Sequence, residues 1–152
     1  MAFGDSITAG EVSDSFLAPG VTAQGRPSLG VSTAVQPLSA YPAQLHNLLT
    51  PAYATQLISV ANEGQSGETA ANGASRLTAS LLAGQPEVLM LFEGFNDLYL
   101  AMFIKEATGD DKPVNVAPIA ANLQSMVLNA QGRGVEVLLS TLTPITAVYE
   151  DD

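Results

Sequence analysis

The chain has 152 residues, fifteen acidic against five basic side chains, a net charge of −10 and no cysteine. The length suffices for one domain with a real core. The charge disfavours nucleic acid and anionic membrane surfaces as partners, and the missing thiols exclude a disulfide framework and a Cys-based metal site. No charged residue falls between Pro27 and Asn62, yet Pro37, Pro42 and Pro51 and many Ser, Thr, Gln and Asn interrupt that stretch, so no transmembrane segment is expected.

The chain opens on Ala-Phe-Gly-Asp-Ser-Ile-Thr-Ala-Gly over residues 2–10. An apolar lead-in running into Gly-Asp-Ser, with Gly10 four residues on, predicts a strand that stops in a tight turn and presents Ser6 at its C-terminal end. Parallel α/β sheets carry their chemistry at that end. Only Met1, Ala2 and Phe3 precede the turn, whereas a buried strand takes roughly five residues. The expectation is a first strand shortened at its start, with no basic n-region or apolar h-region to mark a signal peptide.

Residues 11–39 are rich in Gly, Pro, Ser and Thr and follow no sustained period, which predicts a long surface loop able to wall a cleft beside Ser6. Leu45, Leu48 and Leu49 then fall at helical spacing in a first helix over residues 41–49. Ser39 is its candidate N-cap, Pro42 lies in the first turn and Pro51 past the end. His46, the only histidine, lies at the edge of the stripe set by Leu45 and Leu49, which suits a solvated or structural role better than a general base.

Residues 56–61 (Gln-Leu-Ile-Ser-Val-Ala) are expected to form a second strand, followed by a loop over 62–69. A helix over residues 69–82 should turn Ala70, Leu77, Leu81 and Leu82 inward and end at Gly84 and Pro86. The apolar run 87–92 predicts a strand buried on both faces, ending in Glu93-Gly94-Phe95-Asn96-Asp97. A short helix from Asp97 to about Glu106 and a polar loop over 108–114 come next. Pro118 then opens a helix carrying Ile119, Leu123, Met126, Val127 and Ala130, closed by Gly132 and Gly134. Residues 135–139 form a fourth strand, followed by Ser140-Thr141-Leu142-Thr143-Pro144. The βαβαβαβ alternation predicts one α/β domain over residues 1–152, a parallel sheet with helices on both faces.

Parallel strands share one C-terminal edge, so Ser6, Gly67 and Asn96 converge there. A serine hydroxyl beside a backbone N–H and a side-chain amide is what acyl transfer needs: the hydroxyl attacks a carbonyl and the donors hold the oxyanion. Two rival motifs fail. Residues 64–68 approximate a G-x-S-x-G elbow, but Glu68 takes the last glycine position. Gly132-Arg133-Gly134 begins like a dinucleotide fingerprint but precedes a strand, with Glu136 and Val137 where a third glycine should fall.

On these residues the chain resembles the GDSL or SGNH hydrolases. The first block is Gly4-Asp5-Ser6 with Thr8 and Gly10; the second is Asn62, Ser66, Gly67 and Thr69; the third is Gly94, Asn96 and Asp97. The resemblance implies a three-layer α/β/α sandwich with a flavodoxin-like sheet, and hydrolysis of a small-molecule acyl ester or thioester with neither metal nor cofactor. By position it implies Ser6 as nucleophile and the N–H groups of Ser6 and Gly67 with the Asn96 amide as oxyanion hole. Asp5 and Asp97 would brace their turns, and Glu93 would be a local variation without a role. The family's fourth block, Asp-x-x-His, has no counterpart, since the chain ends at Tyr149-Glu150-Asp151-Asp152 with no histidine after His46. The expectation is therefore a fragment of a serine esterase, impaired by itself, with the fourth strand left as a sheet edge. Low charge and abundant Ala, Thr, Ser, Gly and Gln suit an exported bacterial protein. A non-catalytic module holding an anion or carbohydrate, and an acyltransferase, are the alternatives.

Overall fold

The structure, a computed structural model, describes residues 1–14, 20–21, 27–28, 32–109 and 113–142. Its first strand is β1 (Ala2–Gly4), entirely buried, and it runs straight into the short helix α1 (Ser6–Ala9). The stretch read as a loop over 11–39 is corrected in part. Strand β2 (Glu11–Asp14) pairs antiparallel with β5 (Ser32–Val35), and β3 (Gly20–Val21) pairs with β4 (Pro27–Ser28). Such strands owe their existence to cross-strand partners, which local periodicity does not report. Residues 15–19, 22–26 and 29–31 of that stretch lie outside the described residues, as do 110–112 and the terminal segment 143–152.

Helix α2 (Tyr41–Ala52) is longer than its spacing predicted, with Pro51 inside its last turn. Pro51 cannot close an i→i−4 bond, and the helix ends one residue after it. Its N-cap is Ala40, without a side-chain cap bond; the Ser39 hydroxyl donates instead to the Gln36 carbonyl at 3.0 Å. Of the expected apolar stripe, Leu45 and Leu49 are half-buried and Leu48 is exposed.

The second strand of the main sheet is displaced. It is β6 (Asn62–Gly64), and residues 56–61 form no strand; Leu57 is fully exposed. The reason is pairing: β1 offers three residues, and its rungs fall on Asn62, Glu63 and Gly64. Apolar content alone does not make a strand without a partner. Helix α3 (Ala70–Gly84) starts on Thr69, whose hydroxyl accepts the Asn72 N–H. It buries Ala70, Leu77 and Leu81, but Leu82 is 60% exposed, and its left-handed terminal residue is Gln85, not a glycine.

Strand β7 (Val88–Phe92), helices α4 (Phe95–Thr108) and α5 (Ala117–Gln131), and strand β8 (Glu136–Leu139) complete the order. Helix α4 begins earlier than predicted, so Asn96 and Asp97 sit in its first turn. The main sheet runs β6-β1-β7-β8 with every neighbour parallel. On one face α3 and α5 close over Phe3, Leu89 and Leu91 with Leu77, Leu81, Met126 and Ala130. An Asn129–Thr78 side-chain bond of 2.8 Å ties these two helices. On the other face a space of about 610 Å³ lies between Leu45 and Leu49 of α2 and Met90 and Leu138 of the sheet. Among the described residues β6 and β8 are the two edge strands of this sheet, and on β8 Leu138 and Leu139 are half exposed. No helix among them is long and apolar enough to cross a membrane.

Candidate active site

The site begins with register. Gly4 pairs with Gly64 on one side and with Phe92 on the other. Three neighbouring strands therefore end level, and the segments that follow them carry Ser6, Gly67 and Asn96 along one edge. Close packing holds this together: a Cβ on Gly64 would stand 2.1 Å from the Ala9 backbone nitrogen, so only glycine lets α1 lie against β6.

Ser6 is the first residue of α1, and its N–H has no acceptor within that helix. Asp5 is fully buried and caps the helix, its Oδ1 accepting the Ile7 N–H at 2.9 Å. Burial raises the Asp5 pKa, the Ile7 bond pulls it back, and the Glu68 and Asp97 charges push it up again. Thr8, also buried, has its hydroxyl 3.4 Å from that of Tyr41 at the start of α2.

Gly67 is exposed, with φ +73° and open space where a side chain would project. The Asn96 amide donates to the Glu68 carbonyl at 2.8 Å. A primary amide has two hydrogens, so one remains for a ligand. Asp97 accepts the Ala70 N–H at 2.8 Å, satisfying a free N–H at the start of α3. Ser6, Gly67 and Asn96 thus arrive on adjacent strand ends, while Asp5 and Asp97 bond the backbone of α1 and α3.

His46 is not brought to this edge. Helix α2 starts where Tyr41 meets Thr8, but Leu45 and Leu49 line a space with Met1 and Glu87, at the opposite ends of the strands.

Beneath the edge lies a group of residues to which the sequence alone assigns no role. Glu68 is buried, and the Arg76 guanidinium grips its carboxylate through two nitrogens, Nε at 2.8 Å. Arg76 also donates to the Glu63 carbonyl at 2.9 Å and stacks 4.0 Å from the centre of the Phe3 ring. The carboxylate beside it raises its pKa. Glu93 is 2% exposed, and neither of its oxygens accepts an N–H or O–H among the described residues. Its pKa is pushed up to about 9, first by burial, then by the hydrogen bond and charge of Glu68. Two ionised carboxylates cannot hydrogen-bond each other, so a direct bond between Glu93 and Glu68 requires a proton on one of them. A glutamate at the end of the apolar run Leu89-Met90-Leu91-Phe92 is the signal that could have exposed this residue, since such runs are buried on both faces.

A parallel sheet with crossover helices and a serine turn at its strand ends defines an α/β protein of the SGNH-hydrolase fold. The structure is similar to that of AlinE4, an SGNH-hydrolase family esterase (26% identity, 91% of this chain and 55% of that one, TM-score 0.57). It is also similar to a variant of the same esterase (25%, 95% and 59%, TM-score 0.61). The psychrotrophic esterase EstA from Pseudoalteromonas sp. shares the fold (20%, 91% and 56%, TM-score 0.56). No curated protein matches at a significant level. The model of the GDSL-like lipase/acylhydrolase family matches residues 2–152, and the chain belongs to that family. It spans between 55% and 59% of these solved structures.

Proposed function

We propose that the protein hydrolyses carboxylic esters through an acyl-enzyme on Ser6. The observation that carries this reading is the register in which Gly4 meets both Gly64 and Phe92, aligning a serine, an open glycine and an asparagine amide on three adjacent strand ends. The Ser6 Oγ attacks the ester carbonyl carbon, and the carbonyl oxygen takes the charge. The N–H groups of Ser6 and Gly67 and the free Asn96 amide hydrogen hold that oxyanion. Collapse breaks the bond to the alcohol, which leaves with the proton taken from the serine; water then splits the acyl-enzyme, returning the hydroxyl and releasing the acid. Asp5 and Asp97 hold the backbone of their helices and do not touch the substrate.

The proton step needs a base, and His46 lies toward the far end of the strands. The chain spans 55% of AlinE4, so we look for the base in the protein's counterpart of the remainder, as an Asp-x-x-His segment. The test uses the full-length protein and a serine-reactive fluorophosphonate. Labelling of the wild type that disappears in Ser6→Ala, together with a loss of ester turnover of at least about 10³-fold, supports the reading. An unlabelled wild type, or a Ser6→Ala variant that still turns over ester at the wild-type rate, overturns it.

A further inference from the structure

We propose that Glu93 is a positioning residue of the acyl-transfer site: its carboxyl proton bridges to Glu68 and ties the segment carrying Gly67 to the segment carrying Asn96. The inference rests on reading Gly67 and Asn96 as oxyanion donors. It starts from the position of Glu68, the residue after Gly67. The Glu68 main-chain carbonyl receives the Asn96 amide, and its carboxylate receives the Arg76 guanidinium. Glu93, three residues before Asn96 and directly after β7, packs its carboxyl against Gly73, one turn of α3 before Arg76, and the Phe3 ring touches both positions, which sets the Glu93 carboxyl beside the Arg76–Glu68 pair. A single residue thereby fixes the relative position of two candidate oxyanion donors.

Among the described residues, the groups packed against Glu93 offer it no other partner. The charged side chains acting on it are Glu68, Asp5 and Arg76. From α3 it meets Gly73, where an added Cβ would stand 3.2 Å from Glu93 Oε1 and 3.4 Å from the Phe3 ring, so that side is close-packed and without a side-chain donor. Arg76 is already committed to Glu68 and the Glu63 carbonyl. Asp5 and Glu93 are buried carboxyls with no ion-pair partner among the described residues, and Arg76 is bonded to Glu68, so full ionisation of the three would leave negative charge uncompensated. A proton between Glu93 and Glu68 removes one charge and makes a charge-assisted bond across the two segments. Its loss would drive Glu68 away from Glu93, and the Asn96 amide and Gly67 N–H would lose their common anchor.

The experiment compares wild type, Glu93→Gln and Glu93→Leu in the full-length protein, measuring kcat and KM for a short-chain aryl ester between about pH 6 and pH 10.5. Glutamine keeps a donor toward Glu68 but cannot titrate; leucine keeps bulk and loses the donor. The expected result is a wild-type kcat that declines above about pH 9, with no such decline in Glu93→Gln. Glu93→Leu should lose kcat on the order of 10²-fold with KM little changed, as misplacement of oxyanion donors predicts. Melting temperatures read the proton without reference to activity. The Glu93 pKa is raised from 4.5 to about 9 on folding, so the folded state holds a proton that the unfolded state releases across that window. Wild-type stability relative to Glu93→Gln should therefore fall as pH rises through the window and level off above it. A Glu93→Leu variant with wild-type kcat, a Glu93→Gln variant as slow as Glu93→Leu, or a melting difference independent of pH would each overturn the proposal. A wild type that turns over no ester overturns the hydrolase reading and the positioning role with it, while the melting comparison still passes judgement on the shared proton.

Discussion

Two regions of this protein are equally buried and opposite in chemistry. Between the sheet and α3/α5, the buried groups are Phe3, Leu77, Leu89, Leu91 and Met126. At the strand ends, Asp5, Glu68 and Glu93 are as inaccessible and carry carboxyls. The first region is stabilised by removing hydrocarbon from water. The second incurs desolvation, which the fork of Arg76 on Glu68 and the cap to Ile7 offset in part. A fold that tolerates such a cluster at its strand ends places its strained electrostatics where the sheet presents its chemistry.

Substitutions that act on one region and not the other sharpen this contrast. Leu77→Ala leaves a cavity in the hydrocarbon layer and should lower stability by about 3 kcal/mol. Urea unfolding would show it, with kcat unchanged in the surviving folded protein; a parallel loss of kcat would mean the two regions are not separable. Arg76→Met strips the cation from buried Glu68 and should cost about 2 to 3 kcal/mol, the partial exposure of the guanidinium moderating the loss. Unlike Leu77→Ala, it should also lower kcat, because Glu68 anchors the Asn96 amide. Thr69→Ala removes the α3 cap bond to Asn72 and should cost about 1 kcal/mol, seen as a small drop in melting temperature at unchanged kcat. A kcat change there would mean that the α3 cap also positions the strand-end donors.

Much of the architecture was legible because it is written locally. The apolar run of β7, the 3.6-residue spacing of Leu77 and Leu81 in α3 and of Met126 and Ala130 in α5, and the glycine that closes α5 each follow from a few neighbouring residues. Where a feature depends on a distant partner, local reading failed. Residues 56–61 look more like a strand than Asn-Glu-Gly, yet β1 pairs with Asn62–Gly64. Likewise β2 and β5 support each other across seventeen intervening residues, 15–31, of irregular composition.

The candidate site divides in the same way. Gly4-Asp5-Ser6, Gly67 and Asn96 could be named as candidates from the sequence by itself, because each follows closely on the end of a strand, where residues are chosen by local backbone and hydrogen-bonding demands. It also determined the alternation that makes the sheet parallel, and hence that these turns share an edge. Only the tertiary structure decided that Glu93 lies against Glu68, that Arg76 neutralises one of them, and that His46 lies toward the wrong end of the strands. Burial and charge pairing are sums over neighbours brought from β1, β7 and α3 at once, and no window of sequence contains them.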